Sequence, residues 1–364
     1  MRFVWVIIGL LMLSSSFAHS VPAIPGGLCI NSTNCASSNN SDTTAVAPRS
    51  INVNNFHPGY YYSVGHSKGT SEEVFGRLKD LPEFVGGKRI YTWRVLESQK
   101  GVYDFSKIEA DLAYLESIGK RLWIYVGNTQ FNGNGLPNMP QYMWDDATYG
   151  CGYEYEYYGS YRRETQAGGW LPCFWNDEVK ARFIALATAL GERFNSEPYF
   201  EGISFDETAI DTYAAKKQPG YSANKIKETY QARVLAARNA FPDKIVMQKI
   251  NFAPYDIEEF GAWLVENDIG IGSPDIYLQN ASLTTKVYSQ YLKYHNQVPT
   301  GPDIQWKNYE KATPEELLLG AIEVTNPWYI FWLKRDAYFD DVLEAIRTHG
   351  ELPAAAAFYD SIKE

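Results

Sequence analysis

Along the chain, short apolar runs rich in β-branched and aromatic residues alternate with longer stretches of helical spacing. The runs fall at residues 59–64, 88–95, 121–127, 200–206, 244–250, 270–278, 298–306 and 328–333. Helices are predicted over 71–80, 107–118, 177–194, 223–240, 257–266, 283–294, 314–323 and 339–348. In the third of these, Val179, Phe183, Ile184, Ala187, Leu190 and Phe194 form one apolar stripe to lay on a sheet. Thr70-Ser71-Glu72-Glu73 and Ser106-Lys107-Ile108-Glu109 read as capping boxes, and Thr313-Pro314-Glu315-Glu316 adds Pro at the first helical position. Gly119 stands where a left-handed residue ends a helix. Strand followed by helix, eight times over, predicts an α/β protein with a single-domain (β/α)8 TIM barrel over residues 51–350. A doubly wound open sheet satisfies the same alternation, but the count and the single composition regime favour closure.

The ends of the chain follow other rules. Arg2 precedes an apolar run from Phe3 to Leu13, and Ala18-His19-Ser20 supplies small residues before a cleavage point, so residues 1–20 read as a signal peptide. The run is far shorter than the roughly 20 residues a membrane-spanning helix needs. A secreted or periplasmic protein with no membrane anchor is therefore expected. Residues 21–50, mostly Ser, Asn, Thr, Ala and Pro, are predicted to be a disordered linker, and 351–364 a C-terminal tail. Four cysteines suit an oxidising compartment, and local pairing of Cys29 with Cys35 and of Cys151 with Cys173 is the expected connectivity among three.

Charge and composition narrow the partner. With 33 Lys plus Arg against 43 Asp plus Glu, the net charge of -10 and the lack of a basic cluster exclude nucleic acid and anionic membrane surfaces. Aromatic residues make up 15% of the chain, which favours a partner met through flat faces and hydrogen bonds, or else a large aromatic core. Five His residues without an HExxH helix or Cys/His quartet predict neither metal nor other cofactor. A monomer is expected. Gly65-His66-Ser67-Lys68-Gly69 matches the nucleophile-elbow pattern, yet only one predicted strand precedes it where a serine hydrolase has several.

In a barrel, chemistry gathers where strands end. That places Arg94 and Glu97 after the second strand, Asn128 and Gln130 after the third, and Asp206 and Glu207 at the fourth. Lys249 and Asn251, Asp275 and Gln279, Asp303 and Gln305, and Trp332 follow at the fifth to eighth. Asp206-Glu207 stands out, because adjacent anions raise each other's pKa and a general acid needs a raised pKa; the plain alternative is a pair of solvated helix-capping carboxylates. The connection from 128 to 175 exceeds the usual roughly two to six residues and carries Trp144, Trp170, Trp175 and a Tyr cluster, which either stack on ligand rings or pack the loop on itself.

The run Tyr91-Thr92-Trp93-Arg94-Val95-Leu96-Glu97, then Gly101-Val102-Tyr103-Asp104-Phe105-Ser106 and a strand from Lys120, resembles the strand 2 to strand 3 passage of clan A glycoside hydrolases. The approach through Arg193-Phe194, Pro198 and Gly202 to Glu207 is similar to the approach to their acid/base at strand 4. The resemblance implies a glycoside hydrolase acting on an oligo- or polysaccharide, with Glu207 as acid/base, Arg94 orienting a carboxylate and Trp332 as an aromatic platform. Two departures stand out: Asp206 occupies the place of the family's Asn, and residues 299–306 hold no Glu for the strand 7 nucleophile. Either Asp303 or Asp275 serves as the second carboxylate or retention has been lost, with Asp206, Arg94, Asn251, Gln305, Trp332 and Trp170 as substrate-binding residues. The alternative is a degenerate barrel that binds carbohydrate without turnover.

Overall fold

The computed structural model describes residues 55–130, 136–150, 153–156, 167–210 and 212–361. The expected signal peptide and linker, with Cys29 and Cys35, lie outside the described residues, as does Cys151. Eight parallel strands close a barrel in chain order: β1 (Gly59–Ser63), β2 (Phe84–Thr92), β3 (Arg121–Gly127), β4 (Phe200–Phe205), β5 (Ile245–Lys249), β6 (Gly270–Ser273), β7 (Thr300–Ile304) and β8 (Tyr329–Leu333). β8 pairs back onto β1, with Tyr61 opposite Phe331. Around them run α1 (Ser71–Phe75), α2 (Ser106–Ser117), α3 (Asp177–Phe194), α4 (Ala223–Ala240), α5 (Ile257–Glu266), α6 (Ser289–Tyr294), α7 (Pro314–Thr325) and α8 (Phe339–His349). The chain is a single-domain (β/α)8 TIM barrel.

Local chemistry sets the helix ends. Thr70 and Thr313 form the expected capping boxes, and Asn176 starts α3 by accepting from the N–H groups of Glu178 and Val179. The box expected at Ser106 does not form. Asp104 Oδ1 takes the Ser106 N–H at 3.0 Å instead, and Phe105 is the cap. Strand boundaries shift for similar reasons. β2 begins at Phe84 and ends at Thr92, because Trp93–Leu96 coils into a turn that buries Trp93 and Leu96 and leaves Val95 51% exposed. Pro274, with no N–H to give, ends β6 after Ser273. The C-terminal segment carries α9 (Pro353–Ser361), whose Phe358 packs on Phe56 and Trp328 below the barrel.

The core has two compartments. Between barrel and helices lies the larger, with Trp93, Phe183, Tyr230 and Trp332. Inside the barrel, Tyr61, Trp123, Met247, Tyr329 and Phe331 fill the lower part. Room for them comes from glycines on the neighbouring strands: a Cβ at Gly86 would stand 2.6 Å from the Tyr61 ring, and one at Gly301 2.9 Å from Phe331.

The long β3–α3 connection is pinned to the mouth by a two-way backbone bridge between Gln130 and Trp170, at 2.9 and 2.8 Å. Its aromatics pack on each other, Trp144 edge-on to Trp170 with centroids 4.6 Å apart. The expected disulfide at this loop is corrected: among the described residues there is no disulfide, and the Cys173 Sγ donates to the Gly150 carbonyl at 2.7 Å. The described parts of the loop are held by strand pairing, Tyr153–Glu156 with Ala167–Leu171, and by the Trp144–Trp170 contact.

Candidate active site

β4 delivers two carboxylates that do different things. Asp206 is 3% exposed, and its Oδ2 accepts from the backbone N–H groups of Asn128 at 2.6 Å and Thr129 at 2.5 Å. Burial raises its pKa above the usual range, against the pull of those two amides, the Tyr125 hydroxyl and Arg233. Asp206 is thus a clamp that fixes the end of β3 beside β4. Glu207 is half-buried; its Oε2 accepts from Asn251 Nδ2 at 2.5 Å, and its own carbonyl accepts from the Tyr230 hydroxyl at 3.0 Å. Burial, then the charge of Asp275, push the Glu207 carboxyl up to about 8, with Asn251 and Lys249 opposing.

Asn251 is itself held rigidly. Thr208 Oγ1 accepts from its N–H at 2.9 Å and donates to its carbonyl at 3.2 Å, so the amide that meets Glu207 has a fixed origin. On the next strand stands Asp275, beyond the Pro274 break in β6. It is half-buried, and its backbone carbonyl is fixed by the Ser273 hydroxyl at 2.7 Å. Burial, then the charge of Asp303, push its carboxyl up to about 7, with Lys249 and Lys307 pulling the other way.

Asp303 has different company. It is 8% exposed and bound at both oxygens by Lys88 Nζ, at 2.6 and 2.7 Å, while Lys249 Nζ also bonds its Oδ2. Both ammonium groups lie against Phe331, at 4.3 Å for Lys88 and 5.3 Å for Lys249. Burial and the neighbouring Lys249 hold the Lys88 pKa well below the lysine range, opposed by Asp303. The β7 carboxylate is thus the centre of a buried ion triad with Lys88 and Lys249.

The remaining sequence-predicted residues scatter. Arg94 faces the β3–α3 connection, donating to Pro137 O at 2.8 Å and Gln141 Oε1 at 2.7 Å. Gln305 caps the short helix Trp306–Tyr309, its N–H bonded to Asn308 Oδ1 at 2.7 Å. Trp332 is 1% exposed in the outer compartment, 6.3 Å from the Tyr309 ring. Trp170 is half-buried in the loop hairpin against Trp144. Glu97 accepts from Trp93, Gly101, Tyr142 and Arg182 and ties three segments together. In the elbow-like loop, the Ser67 hydroxyl donates to Val64 O at 2.6 Å. Among the described residues, no group of three His, Cys, Asp or Glu converges to hold a metal ion.

Three contributors went unassigned in the sequence reading. Lys88 sits mid-strand, where nothing in its neighbours marks an inward charge. Phe252, 51% exposed after β5, and Trp306, 42% exposed after β7, present rings at strand ends, a position that could have marked them. Comparison with solved structures gives the likeness at fold level. The β-galactosidase of the psychrophilic Marinomonas ef1 aligns over 82% of this chain and 61% of its own, with 10% identity and a TM-score of 0.52. The fold resembles glycoside-hydrolase barrels. A Rhodococcus sp. endo-glycoceramidase II aligns over 75% of this chain and 72% of its own, with 14% identity and a TM-score of 0.47. A psychrophilic family 10 endo-β-1,4-xylanase aligns over 79% and 96%, with 10% identity and a TM-score of 0.46. No protein-family model matches the chain, and no curated protein matches it.

Proposed function

We propose that the protein is a glycoside hydrolase in which Glu207 is the general acid and Asp275 the carboxylate that acts ionised. The observation that carries this reading is the pair itself: two half-buried carboxyls at the barrel mouth, one pushed up to about 8 and the other to about 7. Two such groups that titrate apart supply an acid and a base together. Asp275 ionises first, and its charge then holds the proton on Glu207. Because Oε2 accepts from Asn251, that proton belongs on Oε1, the oxygen left to protonate the glycosidic bond. Protonation there makes the leaving group neutral, while Asp275 either attacks the anomeric carbon or deprotonates a water that does. Asp303 in this scheme anchors charge beneath the site.

Activity on a panel of aryl glycosides tests the assignment. Glu207→Gln and Asp275→Asn should each lower kcat/KM by roughly two orders of magnitude or more. The wild-type profile should be a bell, rising as Asp275 ionises through about 7 and falling as Glu207 deprotonates through about 8. Turnover unaffected by Glu207→Gln sinks the proposal. The commitment of Asp303 to two lysines favours one second reading, a carbohydrate-binding barrel without turnover, in which sugars bind but no glycoside on the panel is cleaved.

A further inference from the structure

β5 runs between β4 and β6 in the barrel, and the two carboxyls assigned above stand after those neighbours, Glu207 beyond β4 and Asp275 beyond β6. Alternation along the strand sends Met247 and Lys249 inward, Lys249 toward Phe331, while Gln248 accepts from Arg233 of α4 at 2.8 Å. Asn251 follows two residues on and meets Glu207. Lys249 goes the other way. Its side chain passes over Gly272 of β6, where a Cβ would stand 3.1 Å from the Lys249 Cγ. Its Nζ donates to the Ser273 carbonyl at 3.4 Å and bonds Asp303 on β7. The strand between the two carboxyls therefore holds one of them by an amide and sends an ammonium to the end of β6, two residues before the other.

Charge counting gives this placement a purpose. Lys249 is 0% exposed, so it touches no substrate. Around it stand Lys88 from β2, Tyr125 from β3 with its ring 5.5 Å away, Asp303 from β7, Phe331 from β8, and the Glu207 and Asp275 carboxyls on which its charge acts. Asp206 is matched separately, by two backbone amides and Arg233. Two ammonium groups against Asp303 leave one positive charge, and the pair balances it when it carries a single proton. With two protons the interior holds a net cation and with none a net anion, each costly where water is excluded. Lys249 favours the ionised form of both members, while Lys307 adds to the pull on Asp275 and Asp206 to the push on Glu207. We propose that Lys249 is a positioning residue for the reaction, whose ammonium, carried over Gly272 to Asp303, holds the Glu207–Asp275 pair in its one-proton form. The inference rests on the roles given above to Glu207 and Asp275.

Full-length Lys249→Met protein tests it, through the pH profile of kcat/KM on an aryl glycoside. Asp303 keeps both bonds from Lys88 in this variant, so the triad reduces to one matched pair. With the cation gone both carboxyls hold their protons to higher pH, and the rising limb should move up by about one pH unit or more. At about pH 6 that reads as a roughly tenfold lower kcat/KM, with the loss in kcat and not in KM. Lys249→Gln, which keeps a donor for Asp303 without the charge, should move the limb likewise. Lys88→Met is the matched control. It takes an ammonium from the same Asp303 on the side of β2, which neighbours neither β4 nor β6, and should move the limb less than about half as far. Melting temperatures compare the fold of the three variants. Carboxyl carbon NMR of protein labelled at Asp and Glu, with signals assigned through Glu207→Gln and Asp275→Asn, follows the same two groups without turnover. A limb that stays in place in both Lys249 variants, or moves equally in Lys88→Met, overturns the role of Lys249 and leaves Glu207 and Asp275 in theirs. If the wild type cleaves nothing, the NMR decides. Carboxyl midpoints raised by the Lys249 variants and not by Lys88→Met then support the balance of charges and remove the catalytic reading, whereas unmoved midpoints overturn both.

Discussion

Replacing Asp303 with Asn separates an anchor from a catalyst. In the native barrel this carboxylate neutralises Lys88 and Lys249, which are 1% and 0% exposed. Without it, two ammonium groups share a dry space over Phe331 with no anion. Breaking a buried ion pair from one side costs roughly 3–5 kcal/mol, a large part of a total stability of about 5–15 kcal/mol. At about 2 °C per kcal/mol for a domain of this size, the melting temperature near neutral pH should fall by roughly 6–10 °C. The loss should also depend on pH. Lys88 is already held below the lysine range by burial and Lys249, and removing Asp303 removes what opposes that shift. A folded-state pKa below the unfolded value means the unfolded chain binds more protons, so stability rises with pH until the unfolded lysine value near about 10.4. The variant's deficit should therefore shrink as pH rises from neutral toward the unfolded lysine value, and adding Lys88→Met should recover part of it. Urea unfolding followed by tryptophan fluorescence at several pH values measures this, with Trp123 inside the barrel as a reporter. If Asp303→Asn melts with the wild type at every pH yet has no turnover, Asp303 acts on substrate and the anchor reasoning is wrong.

Two stability predictions accompany this one. Glu207 has a folded-state pKa of about 8 against an ordinary 4.5, so its contribution is full below about 4.5 and is lost as pH rises through about 8. Glu207→Gln should thus melt with the wild type in acid and higher than it in alkali, by about 2–3 kcal/mol after allowing for solvent screening; equal curves across the range contradict the shift. Glu97→Ala strips four donors of their acceptor and leaves Arg182 uncompensated. A loss of roughly 3–5 kcal/mol in urea unfolding is expected, and a loss under about 1 kcal/mol counts against the network.

The barrel was legible because alternation of strand and helix survives errors at element ends. Thr70 and Thr313 marked helix starts correctly, while Ser106 misled, since Asp104 two residues earlier competes for the same N–H. The side-chain roles were harder to read, and the reason is geometric. A parallel barrel strand is buried on both faces, so apolar alternation does not tell inside from outside. Trp332 turns outward to Tyr309 while its neighbour Phe331 turns inward to the lysines, and nothing in Phe-Trp distinguishes them. Asp303 looked like an available carboxylate for the same reason: its partners Lys88 and Lys249 come from strands remote in sequence. The position of Glu207 at the end of β4 was legible because its signal is local, two carboxylates after one apolar strand.

The aromatic filling of the lower barrel also sets how this scaffold can change. Phe331 occupies the space that Gly301 vacates and at the same time faces the Lys88 and Lys249 ammonium groups. Deepening the bowl by trimming that ring would uncover two cations together, so depth and charge are inherited as one trait. New specificities on this barrel are therefore easier to reach sideways, through the rim residues after β5 and β7, than downward.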